Sequence, residues 1–196
     1  VWKESIEHDA AEIKKYTEIY DQKEMRTSLV LQALADHGEK ISELSGVVAR
    51  GGLLPSYIDP QSGAVKTVSS GAYVVGPALI AALRERPINH HASNLGCAIA
   101  YDIAQQAGVN AYIYDPVTVD ELIELVRLTG LKDVRRIGQA HNLNMRAAAM
   151  RVCREKGKDY YSSNVVVAHL GGGISLSLHS NGRIIDIVSD DEGPFS

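Results

Sequence analysis

The sequence predicts a mixed α/β fold, and three features of the 196-residue chain lead to that prediction. Segments with the apolar spacing of amphipathic helices alternate with short runs rich in valine, isoleucine and tyrosine, which are typical of strands. Three of these strands end where a polar residue meets the next element, at Arg50, Asp115 and His169. Asn181-Gly182, a preferred pair for a two-residue hairpin turn, joins the last two strands. Ligands of open α/β sheets lie at the carboxyl ends of strands, so chemistry is expected at these ends.

Helices are predicted wherever apolar residues recur three and four positions apart. These segments are 3–20, 22–36, 77–84, 95–107, a helix that follows Thr118, and 143–155. Ser93-Asn94 is expected to cap the helix that starts at 95. Thr118 and Glu121 have the spacing of a capping box, which is a signature of a helix N-terminus.

Short strands are predicted between the helices. They cover 47–50, 65–68, 111–114, 165–169, 174–179 and 183–188. The first is expected to be buried and to end at Arg50, before Gly51-Gly52. Turns are expected at Asp59-Pro60 and Ser62-Gly63, because Pro and Gly interrupt regular structure.

Composition excludes some classes of protein. The formal net charge is −4 and no run of Lys or Arg occurs, which argues against a nucleic-acid partner. No apolar run reaches the roughly 18–20 residues of a membrane helix, and the charged start lacks the apolar stretch of a signal peptide. Cys97 and Cys153 lie far apart in helix-like contexts, so reduced core thiols in a cytoplasmic protein are expected.

The stretch VVVAHLGGGIS, residues 165–175, allows two interpretations. One is a turn whose glycines adopt positive φ. The other is a phosphate loop, in which backbone N–H groups hold anionic oxygens that side chains would keep away. No Gly-Lys-Ser/Thr follows, and a strand rather than a helix comes next, so neither common nucleotide fingerprint applies. The spacing alone leaves both interpretations open.

Other polar positions also allow both a structural and a functional interpretation. Asp115 before a proline is either a turn residue or a carboxylate that orients a metal ion. His141 is either a capping residue or a donor beside a helix N-terminus that favours an anion. Arg50 either caps a sheet edge or binds a carboxylate or phosphate. His90-His91 has no Cys or carboxylate partner at ligand spacing, which argues against a zinc site.

Several motifs, taken in order along the chain, resemble the acetate kinase family and, within it, the butyrate kinases. They are VVARGGLL (47–54), HASNLG (91–96), DPVTVDEL (115–122), AHLGGGIS (168–175), GRIID (182–186) and EGPFS (192–196). The resemblance implies an actin-like, ribonuclease H-like ATPase fold within the sugar-kinase-like superfamily. It also implies ATP-dependent, reversible phosphorylation of a short-chain fatty acid, butyrate, to its acyl phosphate.

The resemblance implies roles for individual residues. Asp115, His141 and Arg50 correspond to catalytic positions, and Asp115 to a contact with Mg²⁺, directly or through water. The acyl substrate is expected at Arg50, Gly51, Gly52, His91 and Asn94, and the nucleotide phosphates at His169, Gly171, Gly172, Gly173 and Ser175. This chemistry suits the sequence, because an ionised carboxylate needs no general base and no activated nucleophile is apparent.

The resemblance also implies a domain organisation. Residues 1–163 are expected to form most of a substrate-side domain whose first β-hairpin is absent, and 164–196 to begin a nucleotide-binding domain. The parent protein is expected to be a homo-oligomer, at least a dimer. The 196-residue chain alone is expected to catalyse little or no reaction. Alternatives are a kinase for acetate, propionate or isobutyrate, an ATP-switch protein of the same superfamily, and a non-catalytic remnant.

Overall fold

A computed structural model describes residues 1–58, 61–85 and 90–189, and divides the chain into two compact units. The first unit comprises residues 1–55 and 72–114; the second comprises 56–71 and the chain from 115 onward. The expected turn at Asp59-Pro60 and the EGPFS motif at 192–196 lie outside the described residues.

The described elements follow the predicted alternation of helices and strands. The helices are α1 (Ala10–Ile13), α2 (Lys23–Asp36), α3 (Pro77–Glu85), α4 (Leu95–Ala107) and α5 (Asn142–Glu155). The strands are β1 (Val47–Arg50), β2 (Tyr57–Ile58), β3 (Val65–Lys66), β4 (Ala72–Val74), β5 (Ala111–Tyr114), β6 (Asn164–Leu170), β7 (Ile174–Ser180) and β8 (Arg183–Val188). Short 3₁₀ turns occur at Ile19–Gln22, Ile41–Glu43, Ala92–Asn94, Glu124–Arg127 and Tyr160–Ser162.

The first unit is built on a three-stranded sheet in the order β1-β5-β4. β5 lies in the middle, parallel to β1 and antiparallel to β4, and α4 packs against β1 and β5. Ile113 of β5 and Cys97 of α4 are fully buried in this core. β1 is less buried than predicted, because it lies at the sheet edge with Val48 72% exposed.

The second unit holds the β2–β3 pair and an antiparallel sheet in the order β6-β7-β8. α5 packs on one face of this sheet, where Met145 joins Ile184 and Ile187 in an apolar cluster. On the opposite face Val166 and Leu170 remain exposed. The Asn181-Gly182 turn between β7 and β8 has φ of 49° and 80°, as the predicted type I′ turn requires.

Two predicted helices do not form as expected. Of the segment 3–20, only Ala10–Ile13 is α-helical, and this short helix buries no residue. A helix this short is marginal without tertiary packing, so the apolar periodicity there was misleading. The helix expected after Thr118 is replaced by a loop and the 3₁₀ turn Glu124–Arg127, because Glu121 accepts hydrogen bonds from Arg146 and from the Ile184 amide.

Both cysteines are free and buried, as predicted. None of the helices in the described parts of the chain has the length and hydropathy needed to cross a bilayer.

Candidate active site

The glycine loop connects β6 and β7 within the second unit. His169 pairs with Ser175, and Leu170 with Ile174, so the loop closes an antiparallel hairpin. The hairpin turn of the first interpretation is thus present, but in the described chain positive φ occurs at other glycines and not at 171–173, so the expected left-handed glycines are wrong. A Cβ on Gly171 would lie 2.7 Å from Nε2 of His169, whereas nothing lies within 4 Å of the Cβ position on Gly172. Gly171 therefore lets the imidazole lie against the loop, and Gly172 leaves open space beside it.

Two histidines stack next to this loop. The rings of His141 and His169 have centroids 4.0 Å apart and planes inclined by 9°. His141 immediately precedes α5, whose N-terminus carries a partial positive charge. The structure thus brings together two imidazoles, a helix N-terminus and a glycine loop, and each of these favours an anion.

A polar side chain anchors each histidine at its Nδ1 atom. Nδ1 of His141 lies 2.9 Å from Oγ of Ser175, and Nδ1 of His169 lies 2.7 Å from Nδ2 of Asn144. Asn144 was not predicted as a site residue. The signal in the sequence was its spacing, since a residue three positions after His141 on a helix lies on the same face.

Asp115 is enclosed rather than open to a ligand. It follows β5 with φ of 41° and is 2% exposed. Its Oδ1 accepts hydrogen bonds from Oγ of Ser70 at 2.7 Å and from the Gly71 amide at 2.9 Å. Its Oδ2 accepts from Nε of Arg146. Both carboxylate oxygens are therefore engaged.

Arg146 connects the buried polar groups of the second unit. Besides Asp115, it donates from Nη2 to Glu121, and from Nη1 to Tyr160 Oη at 3.0 Å and to the Gly182 carbonyl at 2.7 Å. Burial alone would lower the pKa of Arg146, but the hydrogen bond to Glu121 and the charges of Asp115 and Glu121 raise it. The guanidinium is thus a permanent charge balanced by two carboxylates.

Sequence reasoning missed Arg146, although a signal for it was present. It lies on the buried face of α5 together with Asn142, Met145, Ala149 and Cys153. A charged residue on such a face is almost never fully buried unless it is paired.

The surroundings of Asp115 do not fit a magnesium ion. Mg²⁺ demands octahedral oxygen coordination and usually keeps several waters. Asp115 offers neither a free oxygen nor access to solvent. Among the described residues, no cluster of three or more His, Cys, Asp or Glu could hold a metal ion.

The residues predicted to bind the acyl substrate lie in the first unit. Arg50 ends β1 and is exposed. A Cβ on Gly52 would lie 2.4 Å from Oδ1 of Asn94, and this oxygen accepts a hydrogen bond from the Leu53 amide at 2.9 Å. Asn94 therefore holds the loop after β1 and does not cap α4 as predicted. His91 caps the 3₁₀ turn Ala92–Asn94 that precedes α4, because its Nδ1 accepts a hydrogen bond from the Ser93 amide at 3.1 Å.

A pocket of about 310 Å³ in the first unit is lined by His91 and Asn94, together with Leu83, Arg84 and Tyr20. Arg50 is not among the described residues that line it. The structure thus groups two of the predicted substrate residues around a cavity that suits a small molecule.

Comparison of sequences identifies close relatives of the chain. It is 41% identical over its whole length to butyrate kinase 1 of Clostridium acetobutylicum, and 40% identical over 98% of its length to butyrate kinase 2 of the same organism. By sequence, the chain is a relative of the butyrate kinases. It spans about half the length of these proteins, 53% and 52% respectively. The predicted resemblance is confirmed, and no family model matches the chain.

Solved structures show the same fold. An acetate kinase of Porphyromonas gingivalis matches 83% of the chain with a TM-score of 0.60 at 21% identity. The match covers 41% of the acetate kinase. An acetate kinase of Entamoeba histolytica matches 85% of the chain with a TM-score of 0.59 at 17% identity, and a propionate kinase of Francisella tularensis matches 83% with 0.58 at 14%. These two matches cover 42% and 41% of the respective proteins. The predicted fold class, a mixed α/β fold of the acetate kinase type, is confirmed.

Proposed function

We propose that this chain belongs to a kinase that transfers the γ-phosphoryl group of ATP to a short-chain carboxylate, giving an acyl phosphate and ADP in a reversible reaction. Butyrate is the proposed acid, because the relatives at 40–41% identity are butyrate kinases. The observation that carries the proposal is the stacked pair of His141 and His169 beside an open glycine loop.

The residue types present suit phosphoryl transfer from one anion to another. A carboxylate is ionised at neutral pH, so the protein needs no general base and its main task is to position the reactants. His141 and His169 would donate hydrogen bonds to phosphate oxygens, and the glycine loop allows those oxygens to approach the backbone. We place the acyl group in the first unit, at Arg50, His91 and the glycines that follow β1.

Two residue roles take a revised form in this proposal. Ser175 is fully buried and bonded to His141, which supports an action through the histidine rather than a contact with nucleotide. Asp115 is bonded to Arg146, which supports a role in ordering α5 rather than in holding Mg²⁺. Any Mg²⁺ that accompanies ATP would require other oxygen ligands.

The organisation of the whole protein is likewise a proposal. We assign residues 1–163 to a substrate-side domain and 164 onward to the start of a nucleotide-binding domain. We propose a homo-oligomer in the cytoplasm without a membrane partner, and the net charge of −4 supports the absence of a nucleic-acid partner.

The test uses the product of the complete gene. Acyl phosphate is trapped as the hydroxamate with ATP and a series of acids, namely acetate, propionate, butyrate and isobutyrate. The expected result is the highest kcat/KM for butyrate, with each methylene contributing about 1–3 kcal/mol of discrimination. A higher kcat/KM for acetate would identify a kinase for another acid. No hydroxamate from any acid, with ATP still bound, would favour the ATP-switch protein.

Substitution of one histidine tests the catalytic assignment. His141→Ala should abolish hydroxamate formation and spare ATP binding, whereas His37→Ala, a change at a histidine stacked on Trp2, should leave turnover unchanged. Unchanged turnover in His141→Ala would remove this histidine from the mechanism. The 196-residue chain alone is expected to form little or no acyl phosphate, and robust formation would contradict that expectation.

A further inference from the structure

In the second unit, a polar side chain contacts the Nδ1 atom of each stacked histidine. Asn144 contacts Nδ1 of His169, and Ser175 contacts Nδ1 of His141. In a neutral imidazole, one nitrogen carries the proton and the other accepts a hydrogen bond. The partner of Nδ1 therefore decides what the Nε2 atom can offer to a ligand.

Asn144 selects the tautomer of His169. The amide nitrogen Nδ2 has only hydrogens to offer, so Nδ1 of His169 must accept at their separation of 2.7 Å. The proton of the neutral ring then resides on Nε2. This atom faces the glycine loop, since it lies 2.7 Å from the Cβ position of Gly171.

Ser175 selects the tautomer of His141 by a different argument. Its side chain has 0% exposure, and among the described residues His141 is the hydroxyl's partner, at 2.9 Å. A buried hydroxyl proton without an acceptor costs about 1–3 kcal/mol. The hydroxyl therefore donates to Nδ1, and the neutral His141 ring carries its proton on Nε2.

We propose that Asn144 and Ser175 are positioning residues that hold His169 and His141 as Nε2–H tautomers, so that both stacked rings are hydrogen-bond donors before an anion arrives. The opposite tautomer of His169 would direct a lone pair at the loop and repel phosphate oxygens. The inference rests on the proposed function only for the identity of the anion, a phosphate group.

The test reads the tautomers directly. The chain is labelled with ¹⁵N-histidine, and long-range ¹H–¹⁵N NMR spectra are recorded about two pH units above the reference histidine pKa of about 6.5. His169→Gln and His141→Gln assign the two signals among the seven histidines. Both rings are expected to show the Nε2–H pattern. An Nδ1–H pattern at His169 in the unaltered protein would overturn the role of Asn144, and the same pattern at His141 would overturn that of Ser175.

A substitution that reverses the hydrogen bond sharpens the test. In Asn144→Asp, the carboxylate can only accept, so His169 should change to the Nδ1–H tautomer. The aspartate also lies in the first turn of α5, where a negative charge is favourable, so the fold should persist. Asn164→Asp, at an exposed position on β6, makes the same charge change and should leave the His169 pattern intact. An unchanged His169 in Asn144→Asp would contradict the proposal.

Titration with inorganic phosphate and with ATP separates this inference from the proposed function. Nε2–H tautomers with no change in the His169 signal on either titration would leave the positioning roles standing and count against a phosphate site. Phosphate-induced changes together with Nδ1–H rings would support a phosphate site and overturn the positioning roles.

Discussion

Arg146 shows why the role of a single residue depends on partners that are distant in sequence. The strand-end position of Asp115 predicted a functional carboxylate, and the structure places that carboxylate against a guanidinium 31 positions away. The same guanidinium bonds Tyr160, whose hydroxyl lies 2.9 Å from Nδ1 of His179. His141 and His169 were predictable because they flank a helix start and a glycine loop. The pairing of Asp115 was not, because a local pattern does not reveal a partner on another element.

Removing the Arg146 charge should be strongly destabilising. Arg146→Met leaves the buried carboxylate of Asp115 without its counter-charge, and loss of one partner of a buried ion pair costs about 3–5 kcal/mol. Native-state hydrogen exchange of the β7 amides gives the free energy of unfolding for the second unit. We expect it to fall by that amount.

Arg151→Met is the matched control, because Arg151 lies on the same helix and pairs with Glu155 at an exposed site. Exposed pairs contribute little. If both variants lost the same free energy of unfolding, the buried ion pairs of Arg146 would stabilise the fold no more than an exposed pair does.

At the scale of elements, helices with a long, packed apolar face formed where the sequence predicted them. This holds for α4 and α5, and α2 also formed against α4 although it buries only Thr27 and Ala33. The segment 3–20 failed because it buries too little, and the helix after Thr118 failed because Glu121 bonds to distant groups. Local spacing thus predicts a helix well only when no distant partner competes for its residues.

At Gly96, helix propensity favours alanine, whereas the close approach of β1 favours glycine. Alanine is favoured over glycine by about 1 kcal/mol in a helix interior, and this value is an upper bound at Gly96, the second residue of α4. However, a Cβ on Gly96 would lie 2.8 Å from the backbone oxygen of Arg50, which cannot move without shifting β1. Gly96→Ala should therefore destabilise the first unit, as measured by hydrogen exchange of the α4 amides.

Gln106→Gly, at an exposed position in the last turn of the same helix, measures the propensity effect without a close backbone contact and should cost at most about 1 kcal/mol. A gain in stability for Gly96→Ala would mean that propensity, rather than the close approach of β1, decides at this position.

At the scale of the whole molecule, the pH dependence of unfolding should report the buried histidine. Burial, and secondly the charge of Arg146, lower the pKa of His179 to about 4, so the folded protein holds it neutral. An unfolded histidine has a pKa near 6.5, so the unfolded chain binds more protons between these two values. Stability is therefore complete above pH 6.5 and is lost as pH falls toward 4.

Urea unfolding at pH 7 and pH 5 measures this loss, which we expect to be about 1–2 kcal/mol for His179. His179→Gln keeps a polar side chain without the titration, so the loss between the two pH values should shrink by that amount. An identical loss in the variant would show that His179 does not titrate in this range.

The sequence by itself determined the class of fold, most of its helices and strands, the type I′ turn at Asn181-Gly182 and the kinship with butyrate kinases. These follow from the periodicity of apolar residues, turn preferences and motifs, all of which are properties of residues close together in the sequence. Only the tertiary structure decided the contacts of the polar side chains, with Ser175 beneath His141, Asp115 against Arg146, and Asn94 on the Leu53 amide. These partners are 31 to 41 positions apart, and a buried polar group bonds whichever partner the fold brings to it.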